Sequence, residues 1–122
     1  MKKVKVVFIG HPIKGDVKEN VKKVLKICAE VHTKHIIPVA PYLISLRYLN
    51  DEIVEDRELG METNYECFRR RFVDELWLFG DMISEGMKQE IILAKKFGIP
   101  IMAKTEGTRR DLALLRKLIC PG

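Results

Sequence analysis

Apolar positions recur along the chain with two periods, and the switching between them lays out the elements. Val4 to Ile9 is a short β-branched and apolar run stopped at Gly10, which predicts a strand buried on both faces. Pro12 and Gly15 mark a loop, HPIKGD, after which Asp16 and Glu19 stand at capping-box spacing. Val17, Val21, Val24, Leu25, Cys28 and Val31 then repeat with helical spacing. Ile36 to Val39 reads as a second strand, kept short or at an edge by Pro38 and ended by Pro41. Residues 42 to 50, YLISLRYLN, predict a short helix or an ordered loop. A longer helical segment follows from about Asp51 to Phe72, with Gly60 as its candidate interruption, since an interior Gly costs about 1 kcal/mol relative to Ala. Glu75 to Phe79 is the third strand, stopped by Gly80. A helix from about Ser84 to Phe97 ends at a Gly98 cap with Pro100 beyond, Ile99 to Ala103 forms a fourth strand, and Thr108 to Leu118 a last helix.

Strands alternating with helices imply parallel pairing through right-handed crossovers. The expected fold is α/β, a three-layer α/β/α sandwich around a four- to five-stranded mostly parallel sheet, Rossmann-like or flavodoxin-like. With 122 residues and no repeat, low-complexity tract or linker, the expectation is one domain over residues 1–122. Ligands of open α/β sheets bind beyond the carboxyl ends of the strands, where the strand order reverses. That selects Gly10 to Asp16, Ala40 to Leu46 and Gly80 to Gly86.

Within the fourth predicted helical pattern one residue breaks the rule. Taking about 100° per residue, Gly86, Met87, Leu93, Ala94 and Phe97 all fall within about 60° of Glu90, with Ile91 at about 100°. Lys88, Gln89, Lys95 and Lys96 occupy the far side together with Ile92. Glu90 therefore stands in the middle of the apolar stripe, where an ionised carboxylate is costly unless it is paired, hydrogen-bonded or open to a cavity. Helical side chains lean toward the amino end, so Glu90 projects over Gly86, which has no side chain to fill the space. Two explanations follow: a pocket receives the carboxylate, or a basic residue such as Arg47 or Arg57 pairs with it.

Composition changes this picture only modestly. The chain is 47% hydrophobic and 32% charged, with a net charge of +5 and a pI near 9.2, which suits an anionic ligand. Arg69, Arg70 and Arg71 are adjacent, but at 7% aromatics and with no nucleic-acid module they read more simply as a solvated helix end than as a phosphate patch. Cys28, Cys67 and Cys120 are odd in number and widely spaced, so reduced thiols are expected rather than disulfides or zinc ligands. His32 and His35 read as surface residues near a helix end, whereas His11 sits in a candidate ligand loop. No metal is expected, because the three histidines are too few and too scattered to ligate one, and no cofactor is expected; without G-x-G-x-x-G or a Walker lysine, the match to a phosphate loop is weak. The HPIKGD loop still runs into a helix amino end, where His11, Lys14, Gly15 and Asp16 either contact phosphate or sugar or serve as ordinary turn and cap residues. Ser84 is a natural N-cap, and Glu85 suits the helix dipole. Asn20 and Asn64 read as surface residues. No apolar run approaches the roughly 20 residues a bilayer requires, and the amino end lacks a signal-peptide pattern, so a cytoplasmic protein without membrane association is expected.

At FIGHP, DVKENV, ELWLFGD and GMKQEIILAKKFGIPI the chain resembles the nucleoside 2-deoxyribosyltransferase-like superfamily, including its small prokaryotic and phage members. The resemblance covers roughly residues 4 to 103, and its most specific part sets Gly86, Glu90, Ala94, Gly98 and Pro100 together. It implies that Glu90 attacks the anomeric carbon of a deoxynucleoside, and that Asp81 helps to hold or protonate the departing base. By the same resemblance, Phe8, Gly10, His11, Pro12, Gly15, Tyr42, Ser84 and Gly86 would surround a nucleoside or nucleotide, and the chain would form a homodimer or higher homo-oligomer with the site near the interface. Two positions depart from the pattern: Phe8 stands where many members have Tyr, a hydroxyl that Tyr42 could replace, and Ile92 stands where Gly is frequent. The expectation is an enzyme of the N-glycosidic bond, a deoxyribosyltransferase or hydrolase. The alternatives are an inactive nucleotide-binding or sensing module of the same fold, and a nucleic-acid-associated accessory protein suggested by the positive balance.

Overall fold

The computed structural model describes residues 3–119; Cys120 and the rest of the carboxyl-terminal CPG lie outside them. Nine elements alternate along the chain: β1 (Lys5–Gly10), α1 (Val17–Val31), β2 (Ile36–Val39), α2 (Tyr42–Ser45), α3 (Val54–Arg69), β3 (Glu75–Leu78), α4 (Glu85–Lys96), β4 (Ile101–Ala103) and α5 (Glu106–Ile119). The four strands form one sheet in the order β2-β1-β3-β4, and every pair is parallel. The architecture is the expected three-layer α/β sandwich of Rossmann-like type. Pro38 sits on edge strand β2, where its missing N–H costs no interior ladder bond.

Alternation along β1 divides the core. Phe8 faces a cluster with Phe68, Leu76, Leu78, Met87, Ile91 and Ala94, under α3 and α4, while Val7 and Ile9 face Val24 of α1. All of these side chains are buried, each stabilising the fold by roughly 1.5–3 kcal/mol for the larger ones. From β1 the chain crosses to β2 on one side and then returns past β1 to β3 on the other. The strand order therefore reverses between β1 and β3, and a crevice opens beyond their carboxyl ends.

Local chemistry explains most boundaries. Asp16 accepts the Glu19 N–H at 3.3 Å and starts α1. Ser84 accepts the Met87 N–H at 3.3 Å and starts α4. At the other end of α4, Gly98 takes φ 69°, which lets Ile99 donate back to the Ala94 carbonyl at 2.8 Å. That closing bond uses Ile99, so β4 begins later than the apolar run suggests. Two helices also differ from expectation. Helix α3 starts at Val54 rather than Asp51 and runs through Gly60 unbroken, and α5 starts at Glu106, because Thr105 rather than Gly107 precedes it and accepts the Thr108 N–H. Among the described residues, no helix is long and apolar enough to cross a membrane.

Candidate functional site

Beyond the ends of β1 and β3 lies a cleft of about 840 Å³, bounded by the β1–α1 loop, α2, the inner face of α3 and the first turns of α4. Its walls are largely apolar, with Leu46, Leu49, Met61, Met82, Met87 and Leu93 among them. Glu90 reaches it from the second turn of α4. That side chain is only 7% exposed, and its Oε1 is buried with no hydrogen-bond partner. Burial alone pushes its carboxyl up to about 8. Neither Arg47 nor Arg57 meets it; Arg57 instead donates from Nε to the Asp51 carbonyl at 3.2 Å. Of the two explanations the sequence leaves open, the cleft is the one the geometry provides.

One glycine, Gly10, makes room for this carboxyl. A Cβ on Gly10 would lie 3.0 Å from Glu90 Oε1 and 3.1 Å from Leu78 Cδ2, so only a bare backbone lets the oxygen rest on the end of β1. The expected recess over Gly86 is not what seats it: a Cβ there would meet nothing nearer than Ser84 Oγ at 4.0 Å, and the oxygen rests instead on Gly10 at the end of β1. Tyr42, from α2, also lines the cleft and donates its hydroxyl to the Ile9 carbonyl. Desolvation, and then the nearby Glu90 charge, push its phenol well above the usual range.

The other expected site residues divide into three groups. His11, Pro12, Gly15, Ser84 and Gly86 line the cleft with Tyr42 and Glu90. Phe8 and Gly10 lie beneath it: Phe8 is fully buried with its ring 5.1 Å from that of Phe68 and 6.2 Å from that of Tyr42, and Gly10 carries the carboxyl. Asp81 is not brought to the cleft. It is exposed and lines an adjoining hollow of about 360 Å³ with Asn20, Lys23 and Gly80, which shares His11, Pro12 and Met82 with the cleft. The cause is a tertiary one. A Cβ on Gly107 would fall 2.0 Å from the Asp81 carbonyl oxygen, so this loop packs directly on α5. Thr105 Oγ1 donates to the Gly80 carbonyl at 2.7 Å, and Asp111 accepts the Ile83 N–H at 3.0 Å.

His11 stands between the two hollows and is 8% exposed. Its Nδ1 lies 2.6 Å from the Pro12 carbonyl, and burial is the first cause of its lowered pKa. The arginine triplet is divided: Arg69 and Arg70 pair with Glu66 at 2.6 and 3.1 Å, holding its carboxyl down at about 2, while Arg71 takes φ 53° at the turn after α3. Asn64, expected at the surface, is half-buried in the cleft wall, and its Oδ1 is enclosed without a partner. The only hint of this was that Met61 and Tyr65 fall on the same side of α3. Among the described residues, no three His, Cys, Asp or Glu side chains gather into a metal-binding group.

The fold and cleft together define a parallel α/β domain with a buried carboxyl at the switch point of its sheet. Residues 5–104 match a family model, and the chain belongs to that family, described as domain of unknown function DUF7768. No curated protein matches it. Its fold is similar to that of a conserved protein from Enterococcus faecalis V583 known from a crystal structure, at a TM-score of 0.56 and 17% identity, with 94% of this chain and 76% of that one covered.

Proposed function

We propose that the chain acts on the N-glycosidic bond of a nucleoside or nucleotide, as a deoxyribosyltransferase or hydrolase, with Glu90 as nucleophile. One observation carries this reading: a carboxyl more than nine-tenths buried, without a hydrogen-bond or ion-pair partner, in the wall of a ligand-sized cleft. In the reaction a Glu90 carboxylate oxygen bonds to the anomeric carbon as the bond from that carbon to the base nitrogen breaks. The bonding pair leaves with the base, which takes up a proton from solvent. Water or a second base then attacks the same carbon and releases a proton to solvent, and the ester C–O bond returns its electrons to Glu90.

The electrostatics suit the second half of each step better than the first. With its pKa pushed up to about 8, Glu90 is mostly neutral at pH 7, so the attacking form is the minority. Turnover should rise about tenfold per pH unit up to about pH 8 and then level off. The developing positive charge on the sugar favours the ionised form, so the same burial that suppresses the carboxylate in the free protein strengthens its pairing in the transition state.

The test is incubation with a panel of 2-deoxynucleosides and their monophosphates, following released or exchanged base. Base release by the wild type and none by Glu90→Gln is expected; no release by either defeats the proposal. The second reading, a module that binds such a ligand without turnover, has its own support. Asp81 lies outside the cleft, Phe8 has no hydroxyl, and that of Tyr42 is engaged by the Ile9 carbonyl. Under that reading Glu90→Gln retains binding and neither form releases base. A cytoplasmic homodimer or higher homo-oligomer accompanies either reading, and gel filtration giving a monomer at high concentration would contradict it.

A further inference from the structure

The cleft has an electrostatic asymmetry that the net charge of the chain hides. Four ionised carboxylates line it, Asp51, Glu58, Glu62 and Glu85, besides the buried Glu90, against the cations Lys14, Arg57 and Lys88, although the whole chain carries +5. Lys88 is bound to Glu85 at 3.0 Å and Arg57 turns its Nε to the Asp51 carbonyl. Glu58 and Glu62 have no cation within ion-pairing distance among the described residues.

Glu58 and Glu62 stand one turn apart on α3, on the flank that faces the cleft. Like charges at that spacing destabilise a helix, and among the described residues no ion pair offsets it. Local rules broken without a structural gain mark positions held for function. The second observation is Glu90, more than nine-tenths buried in the α4 wall with no partner for Oε1. Glu90 Oε1 and Asn64 Oδ1, both in the cleft lining, are thus left as buried acceptors for donors that a ligand would bring.

We infer that Glu58 and Glu62 form a rim that repels anions, restricting the cleft to neutral or cationic ligands with an apolar or aromatic body and hydrogen-bond donors. On the glycosidic reading, on which this step rests, the substrate is an unphosphorylated nucleoside rather than a nucleotide. The apolar walls, with Met61, Met82 and Met87 among them, suit a flat ring, because thioethers pack well against aromatic faces. The carboxylates meet its N–H or O–H groups.

The experiment measures binding of three naphthalene probes that differ only in bearing a carboxamide, an ammonium or a sulfonate group. The wild type should bind the first two at least ~10-fold more tightly than the sulfonate at low salt, with the gap shrinking near 1 M salt. The double variant Glu58→Gln, Glu62→Gln should bring the sulfonate within about threefold of the carboxamide and melt no lower than the wild type, since both residues are exposed. Gly60→Trp, which projects into open space in the cleft, should abolish binding of all three. A sulfonate bound as tightly as the carboxamide overturns the inference, as does an unchanged order in the double variant, no binding at all, or full binding in Gly60→Trp. Turnover of deoxynucleosides without this charge order removes only the rim; the charge order without turnover removes only the glycosidic reading.

Discussion

Replacing Glu90 by Gln should change how stability depends on pH, and the size of the change follows from burial. In the unfolded chain the carboxyl titrates near its ordinary 4.5; in the fold, burial pushes it up to about 8. The folded state therefore holds a proton that the unfolded state has already released across that interval. A raised folded-state pKa contributes stability that is fully present below the unfolded value and is lost as pH rises through the folded one. At about 1.36 kcal/mol per pH unit, the displacement from 4.5 to about 8 corresponds to roughly 5 kcal/mol. Gln has no such titration, and the cost of its buried amide does not vary with pH. Every other ionisable group is common to both proteins, so the difference between the two stability curves isolates Glu90. Urea denaturation of wild type and Glu90→Gln from pH 5 to pH 9 gives that difference. The wild type should lose several kcal/mol relative to the variant over this range, with the loss complete above about pH 8. Curves that stay parallel to within about 1 kcal/mol would refute a desolvated, unpartnered carboxyl.

Two substitutions probe the supports of the site. Gly10→Ala places a methyl 3.0 Å from Glu90 Oε1 and 3.1 Å from Leu78 Cδ2; it should cost about 1–3 kcal/mol by overpacking and weaken ligand binding at least ~10-fold by moving the carboxyl, and a calorimetric titration equal to wild type would count against that seating. Gly107→Ala drives a Cβ to 2.0 Å from the Asp81 carbonyl oxygen, a backbone atom that cannot swing away. Chemical denaturation should show a loss of about 2–4 kcal/mol, and a neutral result would mean that the Gly80 to Ile83 loop does not rest on α5.

The layered fold was legible because its signals are local. Strand runs of three to six residues, Gly or Pro punctuation and the caps at Asp16, Ser84 and Gly98 each act within a few positions. Glu90 was legible for the same reason, since a carboxyl on an apolar stripe is visible from spacing along α4 alone. Asp81 was not. Its direction is decided by contacts with Gly107, Thr105 and Asp111 of a distant segment, where the chain carries no periodic mark of the encounter. Helix α3 was illegible in a different way. Its cleft-facing side mixes Glu58, Met61, Glu62, Asn64 and Tyr65, so neither an apolar nor a polar stripe stands out, and Asn64 looked like surface. A helix side that lines a cleft is neither core nor free surface, so the rule that separates the two does not mark it. Gly60 misled in the same region: the helix continues through it, and the space beside it is open.

Intact-protein mass spectrometry after rapid acid quench of a mixture with a 2-deoxynucleoside tests the reactive carboxyl most directly. An adduct of one deoxyribosyl group is expected, mapped by proteolysis to the α4 peptide at Glu90 and missing from Glu90→Gln. Complete consumption of the nucleoside with no adduct on α4 at any quench time, or an adduct on another residue, would contradict it.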